Sequence, residues 1–307
     1  VPGAHACALG CQTRRRGAIC LAIAVASLAH VLTVPPVHAQ LTSDQPARRI
    51  VSLVPALTEA LFAIGAGPQV VGVSSFDEFP LEVKTRPTVG ALLDPDLERI
   101  FTLRPDLVIV YGSQSDLQLQ LSRAGIRTFS YRHGGIRTTL DTIRQLGEAT
   151  SHQSEAGELI SSLQRRLDAV RARVRGRARP RTLLVFERQP GTLREVYASG
   201  GVGFLHEMLE IAGGRNVFAD VTRESVQASV EMLLTSAPDV ILEVRATALT
   251  GPRAAAEREA WASLASVPAV RQRRVYLLSG DHLVVPGPRL VEATEAFAHT
   301  LHPDAFR

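Results

Sequence analysis

Glu98 and Glu231 stand 133 residues apart in matching surroundings, and no other residues in this sequence suggest chemistry so strongly by their placement. Glu98 follows Asp94-Pro95-Asp96-Leu97 and Glu231 follows Ser229-Val230, each stretch having the makeup of a helix start. Taken singly, such an acid complements the helix dipole, a gain of roughly 0.3–1 kcal/mol. Taken together, two carboxylates on equivalent edges can dock to basic groups of a two-fold symmetric partner. The remaining chemistry-bearing residues are dispersed. His299 and His302 have helical i, i+3 spacing ahead of Pro303, where a cation suits a last turn better than a metal does. His133 precedes Gly134-Gly135 and His282 follows Asp281, and neither has a companion His or Glu at a ligand spacing, so no metal site is read. A Gly-x-Ser-x-Gly elbow, a His-Glu-x-x-His helix and a Gly-Lys-Ser/Thr phosphate loop are all missing. No catalytic residue is assigned, and the chain reads as a non-enzyme. Gly200-Gly201-Val202-Gly203 lacks the third glycine of a dinucleotide fingerprint and reads as a tight turn.

The elements that must hold these residues repeat. The stretch 97–109 overlays 230–242 without a gap, with Glu, Thr, Pro and Asp coinciding and most apolar residues matching apolar ones. Each copy is a short helix, a Pro-Asp stop and a buried strand. Strands are expected at 50–54, 70–73, 107–111 and 128–131, with helices at 56–64, 97–103, 116–123 and 140–150 between them. A second set follows, with strands at 182–186, 195–198, 240–244 and 275–278 and helices at 204–211, 230–236, 254–264 and 290–301. Such alternation predicts an α/β fold of two Rossmann-like lobes, each with a mostly parallel sheet covered on both faces. Leu159, Leu163, Leu167, Val170 and Val174 form one apolar stripe on a single long helix between the lobes, and its arginines form a solvated face. The expected divisions are 1–39, an N-terminal lobe at 48–150, a connecting helix at 151–179 and a C-terminal lobe at 180–307. A cleft between two such lobes favours a small-molecule ligand.

Residues 1–39 read as a secretory signal peptide: Arg14-Arg15-Arg16, an apolar run to Val34, and Val37-His38-Ala39 before Gln40. They contain all three cysteines, so the expected mature chain has neither a disulfide framework nor a thiolate metal site. The 34 basic residues exceed the 30 acidic ones, but without the leader the balance is 31 against 30. That near-neutrality argues against a nucleic-acid partner. An exported protein is expected.

Several motifs carry a family resemblance. Arg49-Ile50-Val51-Ser52-Leu53-Val54-Pro55-Ala56-Leu57-Thr58-Glu59, Val71-Gly72-Val73-Ser74-Ser75-Phe76, Gly213-Gly214-Arg215-Asn216-Val217-Phe218 and Pro286-Gly287-Pro288-Arg289-Leu290 are similar to segments of periplasmic binding proteins serving ABC importers for vitamin B12, heme and ferric siderophores. The resemblance runs from about Arg48 to the C-terminus and is closest to the cobalamin branch. It implies a monomer in the periplasm with two lobes bridged by a helix, a ligand held unchanged in the cleft, and glutamates matching Glu98 and Glu231 that dock onto the importer's transmembrane subunits. It places Pro55, Phe76, Tyr111, Tyr197 and Asp281, with His282 beside it, among the cleft residues. Their aromatic faces would pack on a corrin and Asp281 would accept hydrogen bonds from its amides. The implied ligand is cobalamin or another metal chelate, and no resident cofactor is expected. The chain departs from the cobalamin branch in having one tryptophan, Trp261, read as a core residue. It departs from the heme branch in following Val89-Gly90 with Ala91-Leu92-Leu93 instead of a tyrosine. A heme or ferric-siderophore binder is the alternative in the same class, and an exported enzyme or metal-chelate-inserting protein the alternative outside it.

Overall fold

The computed structural model describes residues 45–247 and 251–307, so the expected signal peptide lies outside the described residues. Four strands, β1 (Ile50–Ser52), β2 (Val70–Val73), β3 (Leu107–Tyr111) and β4 (Arg127–Tyr131), form a parallel sheet in the order β2-β1-β3-β4. Around it lie α1 (Pro55–Ala63), α2 (Leu97–Thr102), α3 (Ser115–Arg123) and α4 (Ile136–Thr150). Side chains alternate along each strand: Ile50, Leu107 and Ile109 join a core on one face, and Val51, Val108 and Val110 a core on the other. Burial on both faces is why these strands read as continuous apolar runs.

A 22-residue helix, α5 (Gln153–Val174), follows α4 after a turn at Ser151, whose φ of 61° is left-handed. Leu163, Leu167, Val170 and Val174 of the expected stripe are buried, and Arg166 on the flank pairs with Glu295 at 2.8 Å.

The second sheet is built from β5 (Arg181–Glu187), β6 (Val196–Ser199), β7 (Arg215–Asn216), β8 (Ser225–Ala228), β9 (Val240–Arg245) and β10 (Val275–Ser279). Its helices are α6 (Phe204–Ile211), α7 (Val230–Ser236), α8 (Gly251–Glu259), α9 (Pro268–Arg271) and α10 (Leu290–Leu301). The order is β10-β9-β5-β6-β8, with β7 beside β5. This sheet is mixed, because β6 runs antiparallel to both β5 and β8. A hairpin-length link from 188 to 195 returns the chain directly beside β5, too short for the crossover that a parallel neighbour requires. The expected helix at 254–264 is α8 followed by a separate 3₁₀ turn, Ala260–Leu264. Helices α4, α6 and α10 all pack on α5, and one core runs continuously from β1 and α1 through α5 to β9 and α10.

The internal echo is structural. Asp96 caps α2 by accepting from Arg99 N at 2.9 Å, and Ser229, 133 residues on, caps α7 by accepting from Met232 N at 3.2 Å. Both helices end on a non-glycine residue in the left-handed region, Arg104 (φ 46°) and Ala237 (φ 39°), just before the proline. The aspartates then tether the chain entering the neighbouring strand: Asp106 accepts from Arg48 N at 2.9 Å and Asp239 from Arg181 N at 3.0 Å.

Candidate functional site

Loops at the carboxyl ends of the first sheet's strands bring together the residues that face the second lobe. Pro55 is the first residue of α1, its fixed φ suiting a helix start. Phe76 follows β2 and is 72% exposed. Next to it Asp77 is buried, with Oδ2 accepting from Ser74 N at 2.7 Å and Oδ1 without a hydrogen-bond partner among the described residues. Burial pushes its carboxyl up to about 7, only partly opposed by the hydrogen bond from Ser74 N.

Tyr111, at the end of β3, packs edge-on to Tyr131, at the end of β4, with 6.1 Å between ring centres. His133 completes the cluster, 5.8 Å from Tyr111 and 5.2 Å from Tyr131. Desolvation raises both phenols and lowers the His133 imidazole, the latter opposed by Glu224. In the second lobe Phe186 of β5 and Tyr197 of β6 form a tilted pair with centroids 6.5 Å apart. A cavity of about 230 Å³ is walled by His133 from the first group, by Phe186 from the second, and by Val202, Phe204, Glu224 and Val284.

Charged groups bind the lobes together beside this space. Arg289, preceding α10, donates from Nε and Nη2 to Glu59 of α1 at 2.9 and 2.5 Å. Its Nη1 and Nη2 also donate to the Asp281 carboxylate at 2.9 and 2.7 Å. The guanidinium lies 4.0 Å from the centre of the Phe79 ring. Hydrogen bonding from Arg289 holds the Asp281 carboxyl below the usual range, whereas burial raises that of Glu59 despite the same arginine. A second bond crosses from Ile136 N, at the start of α4, to Glu207 Oε2 of α6 at 2.7 Å. Gly135 makes that approach possible, since a Cβ there would fall 1.9 Å from Glu207 Oε1.

The expected residues therefore fall into four places. Tyr111 and Tyr197 belong to the two aromatic groups, and Pro55, at the start of α1, and Phe76, in the loop after β2, to the first lobe. Asp281 and His282 follow β10, where both oxygens of Asp281 already accept from Arg289. Asp281 is thus a member of the clasp. Glu98 and Glu231 are exposed on α2 and α7, with no ion-pair partner among the described residues. Arg289, Glu59, Asp77, Tyr131 and Phe186 were not singled out by sequence as site residues. Glu59 and Arg289 are 230 positions apart, and only an arginine inside a Pro-Gly-Pro-Arg motif hinted at a special place. Gly200 and Gly201 pack on the carbonyls of Arg223 and Ala219, as a tight turn requires, and His299 stacks on Phe306 at 4.0 Å. Among the described residues no group of three or more His, Cys, Asp or Glu is placed to hold a metal ion.

The sequence profile of the family described as "Periplasmic binding protein" matches residues 50–281. The chain is 30% identical over 272 residues to the uncharacterized ABC transporter substrate-binding lipoprotein YvrC of Bacillus subtilis, covering 87% of this chain and 83% of that one. It is 30% identical over 257 residues to the vitamin B12-binding protein of Salmonella typhimurium, covering 83% and 90%. Among solved structures, the periplasmic heme-binding protein RhuT from Roseiflexus sp. RS-1 superposes with a TM-score of 0.70 at 25% identity, covering 84% and 99%.

Proposed function

The chain belongs to the periplasmic binding protein family, and on that premise we propose that it is the exported solute-binding component of an ABC importer, capturing a corrinoid between its lobes. The observation that carries this reading is a cavity walled by His133 of the first lobe and by Phe186 and Phe204 of the second, with Tyr111 and Tyr131 packed on His133 and Tyr197 packed on Phe186. Aromatic faces suit a broad, flat, partly apolar guest, and the similarity to a vitamin B12-binding protein favours a corrin. The cavity of about 230 Å³ is smaller than the roughly 300–1,000 Å³ usual for small-molecule pockets. A corrinoid enters as the lobes part, and Phe76, Tyr111 and Tyr197 then gain contact with it. The ligand is held and passed on unaltered, and Glu98 and Glu231 dock the loaded protein on the transmembrane subunits.

One observation favours heme as a second reading. Neither ring nitrogen of His133 has a hydrogen-bond partner among the described residues, and an imidazole on a cavity wall suits an axial ligand. Calorimetric titration with cyanocobalamin, hemin and a ferric hydroxamate separates these readings. Tight cyanocobalamin binding with weak or no hemin binding is expected. Tight hemin binding without corrinoid binding reverses the assignment of the ligand, and binding of none of the three overturns the proposal.

A further inference from the structure

The two docking helices repeat more than a glutamate. In α2 the buried residue is Ile100, and in α7 it is Leu233, its counterpart 133 positions on. One position later each helix exposes an apolar side chain: Phe101 is 40% exposed and Leu234 is 43% exposed. These residues lie three positions after Glu98 and Glu231, so acid and apolar group are neighbours on the same helix face. Other positions of the repeat have changed character, Arg99 becoming Met232, Leu103 becoming Ser236 and Arg104 becoming Ala237. The fold does not require an apolar residue at 101 or 234, because the core contacts are made by Ile100 and Leu233. The helix starts are likewise not the feature in question, since Asp96 and Ser229 already cap them.

Resting on the docking reading above, we propose that Phe101 and Leu234 are twin apolar anchors of that interface. Each seats in a hollow beside the cationic group that receives Glu98 or Glu231. The occupant is a pair of identical membrane subunits, because two equivalent acid-plus-apolar patches complement two equivalent cationic, partly apolar surfaces. A central apolar side chain excludes water around a charge pair and holds the complex, while the carboxylates set orientation and encounter rate.

The test is site-specific photocrosslinking in the native cells with p-benzoylphenylalanine placed in turn at positions 98, 101, 231 and 234 of the full chain, the adducts being identified by mass spectrometry. All four positions are expected to capture the same integral-membrane subunit. The Phe101→Ser, Leu234→Ser double variant is expected to lower adduct yield from 98 and 231 about tenfold or more. Its melting temperature is expected to stay near that of the parent, which separates lost docking from lost folding. Adducts from 98 and 231 alone, or a double variant that leaves their yield unchanged at an unchanged melting temperature, overturn the anchors and leave the docking glutamates standing. Capture by only one of 101 and 234 overturns the paired arrangement. No membrane adduct from any of the four overturns both.

Discussion

Asp77 occupies a place that penalises a charge, buried behind the exposed Phe76 and close to Glu59. Its folded pKa of about 7 lies above the ordinary 3.8, so the folded state holds the proton more tightly than the unfolded one. Stability from this group is therefore greatest below about pH 4, declines as pH rises toward 7 and is level beyond. Asp77→Asn should raise the melting temperature at pH 8, with a ceiling of about 4 kcal/mol, and make little difference near pH 3.5. A gain that is the same at both pH values would contradict this account. Arg289 is the opposite case, a partner whose loss strands a charge. Arg289→Ala leaves Glu59 buried without its guanidinium and should cost about 3–5 kcal/mol in chemical denaturation, whereas Glu295→Ala, at a partly exposed pair with Arg166, should cost under about 1 kcal/mol. Comparable losses would mean that the clasp is no more important than a surface pair. On the ligand side, Tyr111→Ala and Tyr197→Ala should each weaken cyanocobalamin binding roughly tenfold to a hundredfold by calorimetry.

At the scale of elements, the repeated helix–turn–strand unit predicts where backbone relief is available. Ala237 ends α7 at φ 39°, a conformation glycine adopts freely and alanine does not. Ala237→Gly should therefore stabilise the protein by about 0.5–1 kcal/mol, read as a melting temperature higher by a few degrees. Removing the α7 cap with Ser229→Ala should lower it, at a cost of about 0.5–2 kcal/mol. These units were legible in the sequence because their determinants are local: a cap, a Pro-Asp stop, and a strand buried on both faces. The apolar stripe of α5 was legible for the same reason. The antiparallel β6 was not, since strand direction follows from the length and path of a connection that no local propensity reports. The short strand β8, Ser-Val-Gln-Ala, was missed because its alternation is brief and half polar. The clasp was missed because its members, Glu59 and Arg289, meet only through packing of the lobes around α5.

For the whole molecule, α5 is the spine on which helices of both lobes rest, and the Arg289 and Glu207 bonds close the lobes beside the aromatic walls. A guest entering the cleft has to replace contacts between lobes with contacts of its own, so binding is set by the difference between two sets of interactions. The aromatic contacts were partly legible: Tyr111 and Tyr197 were named through a family resemblance, while their partners Tyr131, His133 and Phe186 needed the register of the strands. The most direct measurement is equilibrium dialysis of the protein without its leader against cyanocobalamin, followed by the absorbance spectrum of the ligand recovered after denaturation. One equivalent retained per chain, with a spectrum identical to the starting compound, is the predicted result. Failure to retain the corrinoid, or recovery of an altered product, would contradict the account.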